Sequence, residues 1–185
     1  MNDELRKESR AWFKAIAIGI MIYMFIRIFF FSNYVVQGES MAPTLEDGNK
    51  LIVNKMMTQF GELDRFDVIV FHHNERDDFV KRIIGLPGDQ IVYHDDDLYI
   101  NGKMIQEEFL EERKKEVPLG TKLTGNFTLE ELTGEETVPE DKLFVMGDNR
   151  MGSWDGRHFG FIATSQVVGK VNICYWPLSE AGISF

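Results

Sequence analysis

Residues 67–84 read DVIVFHHNERDDFVKRII, and this stretch sets the fold class. Two apolar, β-branched runs, 67–71 and 79–84, lie on either side of a polar segment that contains two adjacent histidines. Runs of this length and composition between polar residues are typical of β-strands. The stretch therefore predicts two short strands joined by a polar loop.

Similar apolar runs recur through most of the remaining chain, at residues 51–53, 90–93, 98–100, 103–105, 143–146 and 167–176. The dipeptide Asn101-Gly102 between two of them is a strong signal for a β-hairpin. Strands do not alternate with helices, and no internal repeat is visible. The pattern predicts a mainly β protein with an antiparallel, folded or barrel-like sheet. Residues 106–141 are charged and Thr-rich without a steady apolar period, which predicts a solvated excursion with at most one short helix.

An apolar segment precedes this β body. Residues 11–31 read AWFKAIAIGIMIYMFIRIFFF, and as a helix they would span about 31 Å, close to the hydrocarbon thickness of a bilayer. Only Lys14 and Arg27 interrupt the segment, each near one end, where a long side chain reaches the polar interface. The segment closes on aromatic residues rather than on a small-residue cleavage site. This favours a retained transmembrane anchor, with a buried core helix as the alternative.

Basic residues are concentrated on the amino-terminal side of the anchor. Few basic residues follow it until Lys50, whereas four lie at its start or ahead of it: Arg6, Lys7, Arg10 and Lys14. The positive-inside rule then places residues 1–10 in the cytoplasm and residues 32–185 outside the membrane. Ser40 follows Phe31 by nine residues, so the intervening linker reaches at most about 30 Å, and Ser40 must lie close to the outer membrane face. Residues 34–36 within this linker suit the membrane interface.

The composition excludes several classes of function. A hydrophobic content of 44% is enough for a packed core, and the net charge of −10 argues against nucleic acid as a partner. The single cysteine, Cys174, lies in an apolar run and excludes both an internal disulfide and a multi-cysteine zinc site. His72 and His73 are adjacent and point to opposite faces of a strand, and no ligand-spaced cluster accompanies them. No metal site is therefore predicted.

The stretch GESMAPT, residues 38–44, follows the anchor and contains Ser40. Pro43 fixes its own backbone angle φ and pushes Ala42 towards an extended conformation, while Gly38 allows a close approach of the backbone. A stiffly held serine near a membrane surface suggests a nucleophile. A simple turn leaving a membrane helix is the alternative.

A serine nucleophile needs a base, and the sequence offers two kinds of candidate. The four histidines, 72, 73, 94 and 158, lie in polar loops without a convincing acidic partner, which indicates solvent-exposed side chains. Lys81 and Arg82 alternate along the run 79–84, so one of them faces the core unless the strand is wholly exposed. Burial lowers the pKa of a lysine, by up to about 3–5 units, and a neutral amine accepts a serine proton. A surface Lys-Arg pair is the alternative.

A third cluster, residues 147–160, reads GDNRMGSWDGRHFG and places four glycines and several charges after a predicted strand. Aspartates and arginines within a few residues of each other suggest ion pairs that hold the loop in one geometry. A turn-rich connection without such ion pairs is the alternative.

These segments together resemble those of the bacterial type I signal peptidases, membrane-bound serine proteases that remove signal peptides from exported proteins. The resemblance runs almost end to end, because four motifs occur in the family's order behind one anchor: SMAPT (40–44), RFDVIVF (65–71), VKRIIGLPGD (80–89) and GDNRMGSWDGRHFG (147–160). The short body and single anchor are most similar to the Gram-positive branch of the family.

The resemblance implies that Ser40 is the nucleophile and Lys81 the general base, in a protease that needs neither metal nor cofactor. It also implies several supporting residues: Ser153, whose hydroxyl orients the lysine, the ion pairs Asp148–Arg82 and Asp155–Arg157, and Met41 and Pro43 beside the substrate groove. The expected partners are membrane lipid and signal-peptide-bearing preproteins, which typically carry Ala at the first and third positions before the cut.

Two positions depart from the family pattern. Gly38 replaces a serine that in some members helps bind the oxyanion, so the backbone must take over that role together with the Ser40 N–H. Gly156 replaces a frequent serine, which suggests a slightly looser loop. Two alternatives remain for function: a regulatory Ser-Lys protease of the self-cleaving repressor type, and a membrane-tethered binding paralogue without activity.

Overall fold

A computed structural model of the chain describes residues 2–56, 63–118 and 120–183. The predicted cytoplasmic segment 1–10 begins at Met1 and the predicted catalytic domain 32–185 ends at residue 185. Met1 and residues 184–185 lie outside the described residues. In chain order the strands are β1 (Phe31–Val35), β2 (Lys50–Asn54), β3 (Val68–His72), β4 (Asp78–Gly85), β5 (Ile91–His94), β6 (Asp97–Ile100), β7 (Lys103–Ile105), β8 (Phe127–Thr128), β9 (Lys142–Met146), β10 (Ile162–Ala163), β11 (Val167–Trp176) and β12 (Gly182–Ile183). The helices are α1 (Asn2–Phe30), α2 (Glu111–Glu116), α3 (Leu129–Thr133) and α4 (Gly156–Phe159).

The strands form two antiparallel sheets, so the prediction of a mainly β, antiparallel fold is confirmed. The larger sheet has the order β1-β2-β11-β3-β4-β9-β10, and β12 pairs with β11. The smaller sheet has the order β7-β6-β5-β8 and contains the predicted hairpin around Asn101-Gly102. Both sheets contribute to one core, because Ile91 and Tyr93 of the smaller sheet pack with Phe144 of the larger one.

The larger sheet is curled into a half-barrel. Strand β11 changes register against its neighbours at three points, between Val167 and Gly169, between Val171 and Ile173, and between Cys174 and Trp176. Such bulges bend a strand and increase its twist. As a result β1 comes back to β4, although three strands separate them in the sheet. Burial, together with the nearby Asp78 carboxylate of β4, raises the pKa of Tyr34 on β1 to about 12.

Strand β3 lies at the centre of the larger sheet and is buried on both faces. Val68, Ile69, Val70 and Phe71 are all buried. A strand covered on both sides has no polar face, which explains why residues 68–71 form a continuous apolar run rather than an alternating one. Burial of the last five residues of β4 completes the same layer.

Helix α1 includes the predicted anchor. The segment Glu8–Arg27 has a mean hydropathy of 1.4, and none of it is buried against the rest of the described chain. Trp12 and Phe13 are more than two-thirds exposed, which suits contact with lipid rather than with a protein core. The helix starts nine residues before the predicted segment 11–31 and ends one residue earlier.

The segment expected to link the anchor to Ser40 begins with a paired strand. Helix α1 ends at Phe30, and β1 begins at Phe31 and pairs with β2 along its whole length. The Phe30 carbonyl also accepts a hydrogen bond from the Lys55 N–H at 3.0 Å. Val36, predicted to lie at the membrane interface with its two predecessors, is buried in the domain core. The membrane helix therefore passes directly into the sheet.

The segment 106–141, predicted to be a solvated excursion, has mostly exposed residues but also contributes to the core. This segment contains α2, β8 and α3, and it buries Leu110, Leu129 and Val138 in the core shared by the two sheets. Turns and short helices separate these apolar residues, so they follow neither a helical nor a strand period. Many charged residues lie between them, so the composition of the segment does not indicate which positions are buried.

Candidate active site

Ser40 lies in a turn that follows β1. The turn is closed by backbone hydrogen bonds from Ala42 to Glu39 at 3.1 Å and from Leu45 to Met41 at 3.0 Å. The Ser40 carbonyl accepts a third bond from the Asn149 N–H at 3.1 Å, so the turn is joined to the loop after β9. Local bonds and a distant loop together fix the position of the serine.

Lys81 lies in β4, next to Arg82 on the opposite face of the strand. The alternation predicts that at least one of the two faces inward, and both do: Lys81 is 3% exposed and Arg82 is 1% exposed. The reason is that the sheet curls over one face of β4 while the loop after β9 covers the other. The alternative of a surface Lys-Arg pair is excluded.

The Lys81 amine and the Ser40 hydroxyl are in direct contact, with 2.7 Å between Nζ and Oγ. The amine also donates to the Val80 carbonyl at 3.0 Å, which fixes its direction. The Phe79 ring lies 5.3 Å from Nζ and covers one side of the pair. When the amine is protonated it donates to Oγ, and when it is neutral the hydroxyl donates to Nζ.

Burial lowers the pKa of Lys81 to about 8, because the charged ammonium loses its hydration. The carboxylates of Asp155 and Asp148 act in the opposite direction, since negative charge favours the ammonium. Desolvation is the larger effect. A substantial fraction of the amine is therefore neutral in mildly alkaline solution and able to accept a proton.

Asp148, at the start of the loop after β9, forms a buried ion pair with Arg82. The two side chains form two hydrogen bonds, of 2.9 Å to Oδ1 and 2.6 Å to Oδ2. Thr44 donates its hydroxyl to Asp148 Oδ2 at 2.6 Å, which joins the serine turn to the same carboxylate. The Thr44 contact was not predicted, because nothing in the sequence marks this threonine as a partner of a residue 104 positions away.

Asp155 pairs with Arg157 through two hydrogen bonds of 2.9 Å. The same carboxylate caps the amino terminus of α4 and accepts a bond from the Gly147 N–H at 3.0 Å. These donors keep the pKa of Asp155 below its usual value against the effect of burial. Gly156 lies tightly against β9, since a Cβ there would come within 2.7 Å of the Val145 carbonyl oxygen. The departure of Gly156 from the family pattern suggested a looser loop, but the loop is tightly packed at this position.

Ser153 is buried beside the pair, but it does not contact Lys81 by a hydrogen bond in the described part of the chain. Its Oγ has no partner of ordinary hydrogen-bond geometry, and a weaker contact with the Asp155 carboxylate helps to lower the pKa of that group. Gly147 makes this close packing possible, because a Cβ at residue 147 would overlap both Ser153 Oγ and the Ser40 carbonyl oxygen.

A cleft of about 780 Å³ opens beside the serine. One wall is formed by the end of β1 and the serine turn, including Gly38 and Met41, and the other by β4 and the loop before it. Pro43 is exposed and is not among the residues that line the cleft, and its peptide bond with Ala42 is cis. The Gly38 N–H donates to Asp47 Oδ1 at 2.7 Å, so this donor already has a partner within the chain.

The histidines differ partly from the prediction. His94 and His158 are exposed, as expected. His73 is half-buried and stacks on a phenylalanine ring. His72, 61% exposed, has the acidic partner that the sequence did not reveal, with 2.5 Å between its Nδ1 and Asp78. His72 lines the cleft, but the group in contact with the serine is the lysine. In the described residues no group of His, Cys, Asp or Glu has an arrangement that could hold a metal ion.

A serine hydroxyl bonded to a buried lysine amine, in the cleft of a curled antiparallel sheet, is the arrangement expected of a Ser-Lys hydrolase. A family model described as signal peptidase, peptidase S26, matches residues 9–176. This chain therefore belongs to the peptidase S26 family, and the resemblance stated from its motifs is confirmed.

Named relatives and a solved structure agree with this assignment. Signal peptidase I of Bacillus caldolyticus is 50% identical over 185 residues, covering 100% of both chains. Signal peptidase IB of Staphylococcus aureus strain MRSA252 is 40% identical, covering 98% of this chain and 96% of the relative. The crystal structure of a signal peptidase I from Enterococcus faecalis V583 is 44% identical, with a TM-score of 0.57, and covers 59% of this chain and 96% of that one.

Proposed function

We propose that this serine peptidase removes N-terminal signal peptides from exported preproteins, with Ser40 as the nucleophile and Lys81 as the general base. The observation that carries the proposal is the 2.7 Å contact between Ser40 Oγ and the buried Lys81 amine. The membership of this chain in the S26 family supports both the reaction and the class of substrate. Neither a regulatory protease nor an inactive binding protein is favoured by any contact described above.

The reaction proceeds in two stages. Ser40 Oγ attacks the carbonyl carbon of the scissile peptide while its proton passes to the neutral Lys81 amine. The tetrahedral intermediate collapses as the carbon–nitrogen bond breaks, and Lys81 returns the proton to the leaving amine. The signal peptide is then held as an ester on Ser40. Water, deprotonated by the same amine, attacks this ester and regenerates the serine.

The negative oxygen of the tetrahedral intermediate needs a hydrogen-bond donor. Gly38 offers no hydroxyl, and its N–H is already bonded to Asp47. Of the two backbone N–H groups, those of Gly38 and Ser40, we therefore assign only that of Ser40 as a donor to this oxygen. The turn that holds Ser40 fixes this N–H before the substrate binds, so little reorganisation is needed during the reaction.

The remaining predicted residues have supporting roles in this proposal. The ion pairs Asp148–Arg82 and Asp155–Arg157 hold the loop after β9 against the serine turn, and Ser153 orients the lysine once substrate fills the cleft. Met41 contributes to the groove, in which an extended substrate places small side chains, typically Ala, at the first and third positions before the cut. The exposed position of Pro43 limits its role to shaping the turn.

We also propose a topology. Residues 11–31 anchor the protein in the cell membrane, residues 1–10 lie in the cytoplasm and residues 32–185 form the extracytoplasmic catalytic domain. The length and exposed apolar surface of α1 support the anchor, and the basic residues ahead of it support the orientation. Lipid contact brings the enzyme and the apolar part of a signal peptide into one interface, which raises their effective concentration.

The test uses full-length protein in detergent and a precursor that carries a signal peptide. The wild type is expected to release a product whose new amino terminus, read by sequencing, begins directly after the signal peptide. Ser40→Ala should give no product, whereas Ser165→Ala, which removes an exposed hydroxyl away from the cleft, should cleave like the wild type. Cleavage by Ser40→Ala at the wild-type rate would refute the assignment of the nucleophile.

A further inference from the structure

Arg150 is a buried cation that the proposed chemistry does not use. Its side chain is fully buried, and so is that of its partner Glu107, with 2.5 Å between Arg150 Nη2 and Glu107 Oε1. The guanidinium also donates to the Tyr93 hydroxyl at 3.1 Å and to Thr124 Oγ1 at 3.0 Å. All three partners lie on the smaller sheet or in the segment 106–141, outside the motifs that contain Ser40, Lys81 and Ser153.

The other end of Arg150 belongs to the loop that packs on the serine turn. Its Nε donates to the Gly147 carbonyl at 3.1 Å, and its backbone N–H donates to the Asp148 carbonyl at 2.9 Å. The residue before it, Asn149, donates its N–H to the Ser40 carbonyl at 3.1 Å. The guanidinium is therefore a rigid link between the segment 106–141 and the backbone that holds Ser40.

Glu107 is itself fixed in place. Tyr93 donates its hydroxyl to Glu107 Oε1 at 2.7 Å, so that Glu107, Tyr93 and Arg150 form a closed triangle of hydrogen bonds. A buried ion pair of this kind holds one geometry, because any displacement leaves a charge without a partner in a medium of low polarity. A displacement of the smaller sheet would therefore also move the loop after β9, which contains Arg150.

Two further contacts join the same segment to the same loop. Arg113 donates to Asn149 Oδ1 at 3.3 Å, and the Phe109 ring lies 4.0 Å from the guanidinium of Arg82, the partner of Asp148. Residues 107, 109 and 113 thus act, directly or through one side chain, on three consecutive loop positions, 148–150.

We infer that Glu107 is a positioning residue for the Ser40–Lys81 pair, and that the segment 106–141 serves catalysis by holding the loop through Arg150. The inference rests on the proposed function, because it concerns the same site. Glu107 acts through Arg150 and has no contact with the reacting atoms. Gly147 packs directly against the Ser40 carbonyl, and the Asn149 N–H donates to the same oxygen, so a shift of this loop must move the pair. A misplacement of about 1 Å can slow an enzyme about 100-fold.

The test compares Glu107→Gln with Asp89→Asn in the full-length protein. Both changes remove one carboxylate charge from an ion pair, but the side-chain partners of Asp89 are Arg65, Leu86 and Asn101, none of which belongs to the loop. Glu107→Gln is expected to lower kcat per active site at least about tenfold with KM within threefold, and Glu107→Asp to restore part of the rate. Asp89→Asn should keep the wild-type kcat even if its melting temperature falls.

Titration of Ser40 with a covalent serine-directed inhibitor counts active sites, so that loss of folded protein is separated from slow chemistry. A merely structural role predicts fewer active sites with unchanged kcat and KM, and that outcome overturns the inference. If Glu107→Gln does not fold, Thr124→Val removes one hydrogen bond to Arg150 at little steric cost, and wild-type kcat in this variant also overturns it. The wild type and Ser40→Ala are assayed in parallel: if the wild type is inactive on the precursor, the proposed function fails, whatever Glu107→Gln does.

Discussion

The pH dependence of cleavage gives the most direct test of Lys81 as the base. The amine must be neutral to accept the serine proton, and burial lowers its pKa from 10.5 to about 8. The neutral form therefore increases as the pH rises through 8. The rate should follow it, with an acidic limb in kcat/KM whose midpoint lies near pH 8.

The size of the effect follows from this pKa. Below the midpoint the neutral fraction falls about tenfold for each pH unit, so it is about one-tenth at pH 7 and about one-hundredth at pH 6. An ordinary lysine with a pKa of 10.5 would be only about 0.3% neutral at pH 8. A histidine base would instead place the midpoint near pH 6.5. The three cases differ by more than one pH unit.

The assay measures kcat/KM between pH 5.5 and 9.5 on a fluorescence-quenched peptide without ionisable side chains, at constant ionic strength. His72→Asn is the matched control, because His72 is the histidine that lines the same cleft. The control should keep the wild-type midpoint. A flat profile between pH 6 and 9, or a midpoint that moves with His72→Asn, would refute the lysine mechanism.

Three substitutions extend the test. Lys81→Arg should lower kcat at least about 100-fold at every pH, because a guanidinium stays charged; near-normal turnover would exclude a neutral base. Asp148→Asn leaves the buried Arg82 charge without its partner, so the free energy of unfolding, measured by urea denaturation, should fall by about 3–5 kcal/mol; a loss below about 1 kcal/mol would contradict the buried pair. Gly156→Ser, which restores the frequent family residue, should cost about 1–3 kcal/mol in the same assay, since its Cβ meets the Val145 carbonyl; a stabilised variant would show that the loop is not tightly packed there.

The sequence predicts most strands of both sheets because these strands carry their own signals. Continuous apolar runs such as 67–71 indicate central strands, and Asn101-Gly102 indicates a hairpin by local turn chemistry. Strand β1 was missed because the apolar pattern of α1 continues into Phe31 and hides the change from helix to strand. The core residues of the segment 106–141 were missed because they are buried by tertiary contacts and not by a local period.

The residues of the site also differ in whether the sequence gives a local signal for them. Lys81 and Arg82 are recognisable because two charges in an apolar strand require a special environment. Partners that lie far apart in the sequence, such as Thr44 with Asp148 or Glu107 with Arg150, have no local signal, since only the fold brings them together. The His72–Asp78 contact was missed because it depends on how the hairpin between β3 and β4 closes.

The direct passage of α1 into β1 has a consequence for where the enzyme cuts. The anchor and one wall of the cleft are consecutive parts of the same chain, and pairing of β1 with β2 leaves no slack between them. With α1 in the membrane as proposed, the nucleophile would lie at a fixed distance from the bilayer. We expect the distance of a peptide bond from the membrane to select the bond that is cut, along with the small side chains that precede it.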